Sequence, residues 1–176
     1  LYFWTKTSRT LLFWAAVPAI LVRLWWRGFK EYRYRRHWGE RFGALELPGC
    51  EPSPDSPRGA NKLVWIHAVS VGETRAAYPI VEMLRYQLPD HLILITHMTP
   101  TGRRTSKALF KSGVIRAYLP YDLPFAVRKF LNVARPRFGL IMETEIWPNL
   151  VVECKHQGIP LFLINARLSE RARNRY

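Results

Sequence analysis

From residue 62 onward, short apolar runs alternate with longer stretches in which apolar residues recur every three or four positions. "KLVWIHAV" (62–69) is one such run, which predicts a strand buried on both faces. After it, Ala77, Ile80, Val81, Leu84 and Leu88 fall on one helical face, predicting a helix that runs to about Leu88. Pro79 lies near its start and either kinks this helix or opens the main one at its first position. "HLILIT" (91–96), "VIRAYLP" (114–120), "RFGLIME" (137–143) and "PLFLINA" (160–166) predict four further strands. Helices are expected over "TGRRTSKALFKSG", over Pro124–Ala134 and from about Pro148 to Gln157, and another begins in the tail. This alternation predicts an α/β fold, a Rossmann-like parallel sheet with helices on both faces.

The first 61 residues follow a different pattern. "LLFWAAVPAILV" (11–22) carries no charge, and Leu24, Trp25 and Trp26 extend it, still short of the roughly 20 residues that span a bilayer comfortably. Residues 1–41 hold nine Lys and Arg against two Glu, half of the chain's net charge of +14. An apolar run with Trp and Arg at its exit predicts an N-terminal membrane-anchor helix over 1–26, with everything after Arg23 in the cytoplasm. A buried helix of a soluble fold competes with that reading. A signal peptide fits less well, because Arg and Trp follow the run rather than a small-residue cleavage site. "RGFKEYRYRRHWGERFG" (27–43) is expected to be a basic helix facing lipid headgroups and ending in the Gly39–Gly43 region. Base stacking on nucleic acid is its alternative. Residues 44–61 contain four prolines and read as a connector. The divisions are therefore 1–26, 27–61 and a domain over 62–176.

Charge and composition narrow the partners. The excess of 27 Lys and Arg over 13 Asp and Glu calls for an anionic partner: nucleic acid, a phosphate-bearing substrate or an acidic membrane. Hydrophobic residues at 48% and aromatics at 14% exclude general disorder. Cys50 and Cys154 form no CxxC and read as thiols in a reducing compartment.

Parallel sheets bind ligands outside the carboxyl ends of their strands. The residues placed there are His67 to Glu73, His97 to Arg104, Tyr121 and Asp122, Glu143 to Glu145, and Asn165 to Arg167. No GxxxxGK(S/T), GxGxxG, HExxH or Asp-x-Asp occurs, and Ser70 lacks the glycine that a nucleophile elbow needs two residues before it. What remains is Glu73 after the first strand and Glu143 with Glu145 after the fourth. Each can complement a helix terminus or pair with an arginine; together they suit acid–base chemistry on an anionic amphiphile.

"WIHAVSVGE", "HMTPTGRR", "YLPYDLPFAVRKFL", "METEIWPNL" and "INARLSER", with "ERFG" ahead of them, closely resemble the N-terminal half of the 3-deoxy-D-manno-octulosonic acid (Kdo) transferases. The resemblance implies the N-terminal half of a GT-B glycosyltransferase, two Rossmann-like domains facing a cleft. It implies transfer of Kdo from CMP-Kdo to the lipid A precursor on the cytoplasmic face of the bacterial inner membrane, with no cofactor, no metal and no nucleic-acid partner. By the same resemblance Glu73 is the general base and Glu143 a second acid tied to activity. Ser70 and Gly72 shape the turn that presents Glu73. Arg103 and Arg104 meet acceptor phosphate, or else form a solvated helix face. The chain stops at Tyr176, where the family's second domain begins, and so is expected to be the acceptor side without the donor half, inactive alone. Two alternatives stand beside this: another membrane-attached GT-B enzyme with a different lipid-linked acceptor, and a non-enzymatic basic module that binds anions or nucleic acid.

Overall fold

The structure is a computed structural model in which residues 37–47, 62–143 and 147–165 are described. The expected anchor, residues 48–61 of the Pro-rich connector with Cys50, Glu145 and Arg167 lie outside these residues. Among the described residues no helix is long and apolar enough to cross a membrane.

Five parallel strands form one sheet: β1 (Leu63–His67), β2 (Leu92–His97), β3 (Ile115–Tyr118), β4 (Phe138–Met142) and β5 (Leu161–Ile164). Their order is β3-β2-β1-β4-β5, so the chain winds outward from β1 to one edge and then returns to fill the other side. All five residues of β1 are buried, as its uninterrupted apolar run predicts for a central strand covered twice.

Alternate strand residues feed two cores. Leu63, Trp65 and Leu94 face α5 (Pro124–Ala134) and α6 (Pro148–His156), packing with Phe130, Leu131, Leu150 and Cys154. Val64, Ile66, Ile93 and Ile95 face the other side, where α3 (Tyr78–Gln87) and α4 (Pro100–Phe110) supply Val81, Leu84 and Phe110. Burial pushes the Cys154 thiol up to about 12, so it packs as an uncharged, unreactive group.

The helix expected to run from the first strand to Leu88 is two helices. A short α2 (Val71–Ala76) ends at Ala77, and α3 starts afresh with Pro79 in its first turn. Proline has no N–H to donate to the preceding turn, and its fixed φ suits a helix start. Pro100, Pro124 and Pro148 open α4, α5 and α6 in the same way.

Of the basic segment expected to be helical over 27–43, the described part is one turn, α1 (Trp38–Arg41), ending where Gly43 turns left-handed at φ 85°. Arg41 is buried, its guanidinium 4.1 Å above the Tyr118 ring, and its Nη2 donates to Met98 O at 3.2 Å. Phe42 meets Tyr121 edge-on at 5.8 Å. The "ERFG" segment is thus packed onto the sheet domain through β3 and the loop after it.

Candidate active site

The order of the strands reverses between β1 and β4, and their carboxyl ends frame the crevice where such sheets bind ligands. Glu73 comes to it from α2 and Glu143 from the residue after β4.

Ser70 is the N-cap of α2: its Oγ accepts the Glu73 amide at 3.3 Å. The Glu73 side chain returns the bond, accepting the amides of Val69 at 2.8 Å and Ser70 at 3.2 Å. This is a capping box, and one carboxylate oxygen holds each amide. A carboxylate has about four acceptor sites, so each oxygen keeps a lone pair for a further proton donor. Glu73 is buried, and the capping box gives it the structural role open to a first-turn acid.

Ser70 holds this turn as the N-cap, whereas Gly72 takes no part in the capping bonds. It lies within α2 with ordinary helical backbone, and a Cβ there would come no nearer than 3.8 Å to any neighbour, the Ser70 Oγ. The glycine the turn requires is Gly102, in the first turn of α4. A Cβ on it would lie 3.0 Å from Val69 O and 3.1 Å from Thr99 Oγ1. A glycine inside a helical pattern is the signal that marks it.

Glu143 is half-buried and left-handed at φ 59°, as is Asn165 at the adjacent strand end at φ 54°. The Glu143 amide donates to Ile164 O at 2.8 Å, while among the described residues its carboxylate forms no ion pair, so the arginine-paired reading finds no partner there. Left-handed backbone at a non-glycine residue costs energy and concentrates at functional positions.

Arg103 and Arg104 part company. Arg103 is ion-paired with Glu40 and lies over the Tyr118 ring at 5.0 Å. Arg104 is exposed. Both line a groove of about 940 Å³ outside β3, together with Lys107, Arg116, the acidic Glu40 and Glu46 and the apolar Leu45 and Val114. The groove lies two strands from β1, roughly 10 Å across the sheet. Burial, and to a lesser degree the neighbouring Arg103 and Arg85, lowers the Arg116 pKa. Among the described residues no group of three His, Cys, Asp or Glu is placed to hold a metal.

Two histidines of this edge are buried and neutral. His67 is pushed down to about 3, by burial and then by His97. His97 is lowered to about 4, chiefly by burial, with Arg103 and Arg116 adding to it. The residue pattern places His97 and Thr99 on this edge, but not their bonds to Ala68 O and Val69 O, which depend on the path of the β1–α2 loop.

The family model described as 3-deoxy-D-manno-octulosonic-acid transferase (kdotransferase) matches residues 36–176. The chain belongs to this family. Among curated relatives, the 3-deoxy-D-manno-octulosonic acid transferase of Haemophilus influenzae is 41% identical over 159 residues, covering 90% of this chain and 35% of that protein. The Bordetella pertussis protein of the same name is 43% identical over 160 residues, covering 86% of the chain and 35% of the relative. A probable mitochondrial member from Arabidopsis thaliana is 35% identical over 159 residues, covering 90% and 34%. The chain thus spans about a third of the length of these relatives. The family match begins one residue before the described "ERFG" region and takes in all five strands.

Proposed function

We propose that this chain forms the acceptor side of a Kdo transferase, a glycosyltransferase of lipopolysaccharide biosynthesis. Kdo passes from CMP-Kdo to the lipid A precursor at the cytoplasmic face of the inner membrane. The observation that carries this reading is a family member's carboxylate, Glu73, held at the switch-point crevice with an acceptor site left on each oxygen. In the step proposed, a hydroxyl oxygen of the acceptor attacks the anomeric carbon of Kdo and forms the new glycosidic bond. Its proton passes to Glu73, and the bond to CMP breaks with its electron pair leaving on the phosphate. Glu143 is the second acid of the crevice. Ser70 holds the turn, and the lysine- and arginine-lined groove receives acceptor phosphate, with Arg104 the freer of the two neighbouring guanidiniums. Gly72 contributes to this proposed site only through its neighbours Ser70 and Glu73. CMP-Kdo is assigned mainly to the part of the family's length that this chain does not span. The residues outside the described set, 1–26, are the proposed anchor.

Glu73→Gln in the full-length enzyme tests this reading. Glutamine still completes the capping box through its carbonyl oxygen, but its amide nitrogen cannot accept, so one of the two loop amides loses its partner at a cost of about 1 kcal/mol. The variant is expected to fold, to bind acceptor and to lose turnover by at least about a hundredfold. Turnover within a few-fold of wild type would move the base elsewhere, with Glu143 next in line.

A further inference from the structure

Glu73 is held by two peptide groups, and both are held from behind. The peptide joining Ala68 to Val69 donates its N–H to Glu73 Oε2 and accepts His97 Nδ1 on its carbonyl at 2.8 Å. The peptide joining Val69 to Ser70 donates its N–H to Glu73 Oε1 and accepts the Thr99 hydroxyl on its carbonyl at 3.2 Å. A carbonyl oxygen only accepts, so His97 carries its proton on Nδ1. A trans peptide is planar with N–H and C=O opposed, so fixing where a carbonyl points fixes where its amide points. Thr99 is itself fixed, because its Oγ1 also accepts the Gly102 amide at 3.1 Å as the N-cap of α4. Gly102 leaves the space in which Val69 O and Thr99 Oγ1 meet.

We propose that His97 and Thr99 are positioning residues of the reaction, a two-point clamp from the β2–α4 loop that aims the Glu73 carboxylate through the peptide planes of the β1–α2 loop. The proposal rests on the reading of Glu73 as the base and adds to it. Neither residue touches the reacting atoms. Each aligned bond also polarises the next along the chain from ring or hydroxyl to carbonyl, amide and carboxylate. Loss of one point would leave the carboxylate present but poorly aimed, the kind of misplacement that costs up to about a hundredfold in rate.

Thr99 allows the clamp to be separated from the helix cap. Thr99→Asp keeps an oxygen that accepts the Gly102 amide and so keeps the cap, but it has no proton to give Val69 O. Thr99→Ser keeps both. The two variants and Glu73→Gln are compared in the full-length enzyme by amide hydrogen exchange and by steady-state kinetics with CMP-Kdo and lipid A precursor. In Thr99→Asp the Val69 and Ser70 amides are expected to exchange about tenfold faster, with kcat down at least about tenfold and KM within about twofold. Thr99→Ser should restore all three. Wild-type exchange in Thr99→Asp overturns the clamp. Faster exchange with unchanged kcat, while Glu73→Gln is inactive, overturns its part in the reaction. Full activity of Glu73→Gln overturns instead the reading of Glu73 as base, and the exchange data then judge the clamp by themselves.

Discussion

Asp122 stands among the polar residues at the carboxyl edge of the sheet, and its carboxylate is directed into the protein. It accepts the amides of Asn149 at 3.0 Å and Leu150 at 2.9 Å, while Asn149 Nδ2 donates to the Asp122 carbonyl at 2.6 Å. The α6 helix has no side-chain cap of its own at Trp147, so Asp122 caps it from 27 residues away. Burial raises its carboxyl pKa, and the amides of Asn149 and Leu150, with Asn149 Nδ2 also donating to Oδ2 at 3.3 Å, pull the other way. Asp122→Ala should cost about 1–2 kcal/mol, read as a drop in thermal midpoint of several degrees. An unchanged midpoint would mean that water replaces the cap without loss. An acid near a strand end has the same appearance in a sequence whether it meets a ligand or a helix distant in the chain. Periodicity carries no information about that choice, so Asp122 was legible as a polar residue of the edge and not as a cap. Glu73 was legible as a first-turn acid, but its return bonds to Val69 and Ser70 depend on a loop path that no residue pattern records.

Among the elements, all five strands and the helices α4, α5 and α6 stand within a few residues of where apolar spacing places them, and Pro124–Ala134 agrees at both ends. Buried parallel strands have this legibility because both faces must be apolar. Pro79 resolves as the opening of α3, and the division at Ala77 lets α2 and α3 point separately, α2 serving the crevice and α3 the core. Less legible was how α1 docks, since its contacts are long-range and polar. Gly43 is decisive there: a Cβ on it would fall 2.2 Å from the Ala126 carbonyl of α5, on backbone already left-handed. Gly43→Ala should lift "ERFG" from the domain. The Tyr118 amide, which donates to Glu40 at 2.6 Å, and the Tyr121 amide, which donates to Arg41 O at 2.9 Å, should both exchange faster. Protection of these two amides at wild-type levels would show that the segment docks without the glycine.

For the molecule as a whole, the two neutral histidines make folding sensitive to acid. An unfolded histidine titrates near 6.5, whereas the folded values are about 3 for His67 and about 4 for His97. Below about pH 6.5 the unfolded chain takes up protons that these rings refuse, so stability is full above that pH and falls until the folded values are reached. Each ring contributes a slope of about 1.4 kcal/mol per pH unit within its window. Asp122, with its raised carboxyl, works in the opposite sense, and only in the carboxylate range. The urea midpoint should therefore drop steeply between about pH 6.5 and 4, and His97→Gln should flatten part of that slope. A midpoint that stays level across this range would show that the folded rings accept protons. The Glu40 carboxylate, finally, has a consequence for how these molecules behave in a crowd. β3 is an edge strand, and unpaired edge amides template the addition of strands from other chains. Glu40 occupies the Tyr118 amide, and Arg116 places a charge in the middle of the strand. Self-association through this edge must first break the Glu40 contacts, so "ERFG" shields the edge against fibrillar stacking as well as docking its own segment.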